Sequence, residues 1–186
     1  MAYQAHLRWM LQKDLCLDQD FLLAGPASLA CDRRQLLLLY AALVGREIEY
    51  VALSRDTTEA DLKQRKEVVV ANSTAFGKEE AAGNSITTTP TTTTSVYVPQ
   101  APVRAALEGR LLILDGLEKA ERNVLPTLNN LLENRELSLD DGSLLVPPST
   151  QHVDDTVVPS SGQQVLRRVH PDFRVAALTS DTTSLD

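Results

Sequence analysis

Two stretches of this sequence carry side chains suited to phosphate and metal chemistry. Gly25-Pro26-Ala27-Ser28 follows the apolar run Phe21 to Ala24 and precedes a helix-like segment that opens with Arg33-Arg34. Small residues allow backbone N–H groups to converge on phosphate oxygens, a helix N-terminus adds partial positive charge at the same point, and an arginine neutralises the outer phosphates. Yet Ala30 stands where a second loop glycine is expected, and Cys31 and Asp32 stand where a lysine and a hydroxyl are. On its own the loop reads as an ordinary βα turn. Asp115 closes the run Leu111-Leu112-Ile113-Leu114, a place from which a carboxylate holds Mg2+ through water. Taken alone it is equally the polar end of a buried strand. Hydrolysis also needs a second carboxylate to orient the attacking water. The neighbour is Gly116, and the nearest acid, Glu118, is out of phase with it.

Other chemistries are poorly provided for. His6, His152 and His170 lie in different elements with no paired serine or cysteine nucleophile, so surface or packing roles are their default. Asp140-Asp141-Gly142 is a turn without the further ligands calcium requires. Cys16 and Cys31 form no C-x-x-C pair and sit near no histidine at metal-ligand spacing, so neither a zinc site nor a disulfide framework is indicated. A net charge of -7 argues against non-specific nucleic-acid binding, and 4% aromatic residues with a single tryptophan, Trp9, argue against base-stacking platforms. No apolar run approaches the roughly 18 residues of a membrane span. Glu118, Lys119, Glu121 and Arg122 read most simply as a solvated helix entrance.

The elements that must position these residues follow from periodicity. Apolar runs at Phe21 to Ala24, Ile48 to Leu53, Leu111 to Leu114 and Phe173 to Leu178 alternate with helical patterns, which predicts an α/β fold with a mostly parallel sheet. Helices are expected over Arg33 to Val44, stopped by Gly45, and over Asp56 to Arg65, capped by Asp56 with Glu59 or Thr58 with Asp61. Further helices are expected over Gln100 to Leu107 and Val124 to Asn134, and an amphipathic helix opens the chain between Met1 and Asp14. Glu136 to Val146 predicts a β-hairpin around Asp140-Asp141-Gly142. The stretches 71–94, rich in threonine, and 149–164 have little to bury and are expected to be surface loops, the first a disordered insertion. In such a sheet ligands bind at the carboxyl ends of the strands, so the turns after the first, third and fourth strands are where function is expected.

The longer context Leu111 to Ala120, running into Asn123 to Glu136, resembles the Walker B strand, following helix and hairpin of the dynein-related or MoxR-like branch of AAA+ ATPases. His6 to Met10, Phe21 to Pro26, Glu49 to Arg65, Val103 to Ala106, Glu108 to Arg110 and Asp172 to Val175 extend the resemblance over nearly the whole chain. It implies a P-loop NTPase-like parallel sheet with flanking helices and a β-hairpin insertion, binding ATP and Mg2+ between subunits of a homo-oligomeric ring that remodels a protein substrate. By position, Gly25 and Pro26 match the start of the phosphate loop, Ala27 and Ser28 beside them would help to wrap the phosphates, and Arg33 and Arg34 match a basic pair in place of its lysine and hydroxyl. Asp115 matches the magnesium carboxylate, and Ser180 falls where such ATPases place a sensor asparagine. The chain then reads as a single, incomplete AAA+ large subdomain over 1–186, lacking a fifth strand, an arginine finger and a helical lid. The resemblance is to a mitochondrial member of the branch, which makes the mitochondrion the expected location. Gly116 in place of the catalytic glutamate keeps open an alternative, a non-hydrolysing module serving as a structural or partner-binding ring component.

Overall fold

The computed structural model describes residues 2–71, 92–122, 124–150 and 165–180. Helix α1 (Ala2–Leu11) widens into a π-type turn at Gln12–Cys16 and leads to strand β1 (Phe21–Ala24). There follow α2 (Ala30–Val44), β2 (Ile48–Ala52), the short α3 (Glu59–Leu62), β3 (Gln64–Ala71) and β4 (Thr92–Pro99). The order continues with α4 (Ala101–Glu108), β5 (Leu111–Asp115), α5 (Leu125–Glu133), β6 (Leu137–Ser138), β7 (Leu144–Val146), β8 (Leu166–Arg168) and β9 (Arg174–Thr179).

Four strands form a parallel sheet in the order β1-β9-β5-β2, flanked by helices, which is the α/β architecture the sequence pattern predicts. Successive side chains of a strand point to opposite faces, and β5 shows it plainly. Leu111 and Ile113 join a core with Met10, Leu36, Leu37 and Tyr40, on the side of α1 and α2. Leu112 and Leu114 join the opposite core with Val103, Ala105 and Ala106 of α4 and Leu128 and Leu131 of α5. All four β5 leucine and isoleucine residues are buried, and burying one such side chain contributes about 1.5–3 kcal/mol. A slip of one residue would exchange the two sets, so this run sets the register of the sheet. Asp115 is next in the phase of Leu111 and Ile113. Its side chain therefore belongs to the α2 face, the face on which the arginines lie.

The amino ends of the strands are tied by charge. Asp14 is fully buried and accepts hydrogen bonds from Tyr40 Oη at 2.5 Å and Arg46 Nη2 at 2.8 Å. Asp20 accepts from the Val175 N–H at 2.8 Å and pairs with Arg135 at 2.8 Å, while Arg174 bonds Asp18. A buried carboxylate without such partners would be strongly destabilising, so these contacts hold the end of the sheet remote from the candidate site.

Several boundaries differ from the sequence reading. The helix expected over Asp56 to Arg65 shortens to α3, because the Thr58–Asp61 capping box closes its first turn and Lys63, at φ -99 and ψ -86, leaves helical geometry. Gln64 and Arg65 instead open β3, which pairs antiparallel with β4 from Gln64↔Pro99 to Ala71↔Thr92. The expected loop 71–94 is thus corrected at both ends. Val68-Val69-Val70 and the Thr92 to Val98 run suit an extended ladder, whose backbone hydrogen bonds need no buried face. The rest of that stretch, 72–91, lies outside the described residues, as do 151–164 of the second loop. The expected hairpin forms as β6 and β7, and β8 adds a parallel strand to β7 that the sequence did not announce.

Candidate functional site

Parallel pairing brings three strand ends level. Ala24 of β1 faces Thr179 of β9, and Leu178 of β9 faces Asp115 of β5. The residues immediately beyond, Gly25, Ser180 and Gly116, therefore share one end of the sheet. From β1 the chain turns through Gly25 and Pro26 into a 3-10 turn at Ala27–Leu29, where Leu29 N–H donates to Pro26 O at 3.0 Å, and then enters α2. Ala27 and Ser28 lie exposed in that turn. One helical turn on, Arg33 and Arg34 project back toward the strand ends.

Arg33 spans the mouth of the loop, donating from Nη1 to Pro26 O at 2.8 Å and from Nη2 to Ser180 Oγ at 3.0 Å. Its Nε is buried and has no partner among the described residues. A Cβ at Gly25 would stand 2.9 Å from Arg33 Nη1, so a larger residue there displaces this guanidinium. Arg34 turns to the other side and donates to Asp115 Oδ2 from Nε at 2.8 Å and from Nη2 at 2.5 Å. That hydrogen bonding, followed by the charge of Asp115, holds the Arg34 guanidinium above its ordinary range. Tyr50 Oη of the edge strand β2 donates to the same Oδ2, and the Arg34 guanidinium lies 5.9 Å from the centre of the Tyr50 ring. Burial, then the hydrogen bond to Asp115, push the Tyr50 phenol up, so it remains a donor at neutral pH.

Beside the loop is a cavity of about 530 Å³, lined by Trp9 and His6 of α1, Leu22 to Pro26, Leu29, Arg33 and Leu36. An apolar cavity bordered by a few convergent polar groups is the usual form of a small-molecule site. The donor set fits a phosphate-bearing ligand with a divalent cation: a bare glycine in the loop, Arg33 at its mouth with a buried Nε that has no partner among the described residues, and Arg34 on the one carboxylate, Asp115.

These features have a family context. A family model described as "AAA domain (dynein-related subfamily)" matches residues 20–184. The chain belongs to the dynein-related AAA family. It is also 47% identical over 177 residues to the mouse von Willebrand factor A domain-containing protein 8, a match that covers 93% of this chain and 8% of that relative's length. The sheet is accordingly the P-loop NTPase-like sheet of an AAA module.

Of the residues singled out in the sequence, Gly25, Pro26, Arg33, Arg34, Asp115 and Ser180 come together at one end of this AAA sheet, and Ala27 and Ser28 border them. Tyr50 was not foreseen. The sequence pattern points to the turns after the first, third and fourth strands, whereas Tyr50 reaches in from within β2, where its register partner is Ile113. The cavity wall from α1 was also missed, because the amphipathic pattern of that helix, and the part of the resemblance it carries, hold no signature of a binding surface. Glu118 lies in the 3-10 turn Leu117–Lys119, and its Oε2 is buried without a partner among the described residues. Asp141 is occupied otherwise: its Oδ1 accepts from Ser143 N at 2.9 Å and Ser143 Oγ at 2.5 Å, and its Oδ2 from Gln64 at 3.0 Å. No helix among the described residues is long and apolar enough to cross a membrane.

Proposed function

We propose that this chain binds ATP with Mg2+ as one module of a ring-forming AAA+ assembly that remodels a protein substrate. The observation that carries this reading is the convergence of Arg33, Arg34, Asp115 and Ser180 on the phosphate-loop turn at the carboxyl ends of β1, β5 and β9. In this reading Gly25, Pro26, Ala27 and Ser28 surround the phosphates, Arg33 and Arg34 neutralise them, and Ser180 hydrogen-bonds the outer phosphate or a water beside it. Asp115 holds Mg2+ through water, and the bound ion neutralises phosphate charge in a way that no side chain here does alone. The apolar cavity beside Pro26 and Leu29 takes the base. Residence of the parent protein in mitochondria belongs to the same proposal.

A second reading, a non-hydrolysing module that supports the ring, has its own observation. Gly116 occupies the position after Asp115 where a catalytic glutamate belongs, and its φ of 83 and ψ of 45 suit glycine far better than a side-chain-bearing residue. Mg2+-dependent turnover of the full-length assembly separates the readings. If this module hydrolyses ATP, Asp115→Asn removes its share of the rate. An unchanged rate, with binding retained in the native module, assigns the module to the non-hydrolysing class.

A further inference from the structure

The carboxylate of Asp115 is engaged on one side only. Arg34 Nε, Arg34 Nη2 and Tyr50 Oη all donate to Oδ2, and among the described residues Oδ1 receives no hydrogen bond. The two partners differ in kind. Arg34 is a cation on the first turns of α2, with its side chain 47% exposed, and a bound phosphate would compete for its charge. Tyr50 is fixed in β2 by its pairing with β5, two residues before the register pair Ala52↔Asp115, and carries no charge for a phosphate to attract. When a phosphate takes Arg34, the phenol is the donor left on Asp115.

From this geometry we propose that Tyr50 is a positioning residue of the metal side of the site: its hydroxyl keeps Oδ2 occupied and so presents Oδ1 to the hydrated divalent cation that accompanies the nucleotide. This rests on the nucleotide-binding reading above. Hydrogen-bond partners that orient a metal-binding carboxylate typically alter metal affinity by about 10–100-fold when removed. Tyr50 is 40% exposed, so its hydroxyl is not needed to fill the core.

The experiment compares the wild-type chain with Tyr50→Phe, which removes the hydroxyl and leaves the ring beside Arg34. ADP affinity without metal is measured by calorimetry, and Mn2+ affinity of the ADP complex by electron paramagnetic resonance. The proposal expects Tyr50→Phe to weaken Mn2+ binding about tenfold and metal-free ADP binding by less than threefold. It also expects the Tyr50 effect on Mn2+ to vanish when Asp115→Ala is already present, which a general loss of folding would not produce. Equal weakening of both affinities, an unchanged Mn2+ affinity, or a Tyr50 effect that persists beside Asp115→Ala would overturn the role of Tyr50 while leaving nucleotide binding intact. Absence of saturable ADP binding by the wild-type chain would overturn the nucleotide reading and this inference with it.

Discussion

Gly116 gives the sharpest structural prediction because its conformation and its surroundings are separable. Its φ is 83, its N–H donates to Leu178 O at 3.0 Å, and a Cβ placed there would stand 3.2 Å from the backbone oxygen of Leu53. That oxygen has little room to yield, since the neighbouring Leu53 N–H is tied to Asp115 O at 2.8 Å. A residue with a Cβ pays about 1–2 kcal/mol for the left-handed conformation, and crowding a packed site adds about 1 kcal/mol or more. Gly116→Ala is therefore expected to lose about 2–3 kcal/mol, which lowers Tm by roughly 4–12 °C in a chain of this size. Gly45 at φ 73 and Gly142 at φ 84 share the conformation but have nothing within 4 Å of a built Cβ. Alanine at either of those positions should show the conformational part alone. Differential scanning calorimetry of the three variants resolves the difference. If Gly116→Ala is no more destabilising than Gly45→Ala and Gly142→Ala, the contact with Leu53 is not what constrains this position. The same argument expects Gly116→Glu to add no turnover, since the side chain would start from a strained backbone.

Other consequences are more local. Tyr40→Phe removes the phenol that donates to the fully buried Asp14 and should lower unfolding free energy by about 1–3 kcal/mol in urea; no loss would show that Arg46 and Arg174 together satisfy the carboxylate. Glu49 is held below its ordinary 4.5 by hydrogen bonds from Arg104, against burial, with help from the Arg104 charge and Arg110. The stabilisation from a depressed carboxylate is present above the unfolded pKa and is lost as pH falls through the folded one. Unfolding free energy measured against pH should therefore fall below pH 4.5, and Glu49→Gln should flatten that fall. An identical slope in the variant would remove Glu49 from the account.

The sheet was legible because β5 and β9 are buried on both faces and so read as unbroken apolar runs, while Gly45 and Gly109, both at φ 73, end their helices where helix-stopping glycines are expected. The β3–β4 ladder was not legible. A two-stranded arm with Val68 64% and Val69 49% exposed buries too little for hydrophobic pattern to reveal it, and its strands are far apart in sequence. At the candidate site, the loop and Asp115 were visible as motif positions, and the convergence of the arginines on them required the fold. Arg34 and Asp115 are 81 residues apart, and Arg33 and Ser180 are 147 apart. Tyr50 carried no signal, since an aromatic residue on an edge strand is ordinarily a packing residue and only the register with β5 places it beside Asp115.

The central claim, that the arginines and the loop form a phosphate site, is tested most directly by equilibrium binding of ATP and ADP, with and without Mg2+, to the folded chain and to its Arg33→Ala, Arg34→Ala double variant. The account predicts saturable binding by the wild type and loss of at least tenfold in affinity by the double variant, with circular dichroism showing both folded. Undiminished affinity in the folded variant, or no binding by the folded wild type, would contradict it.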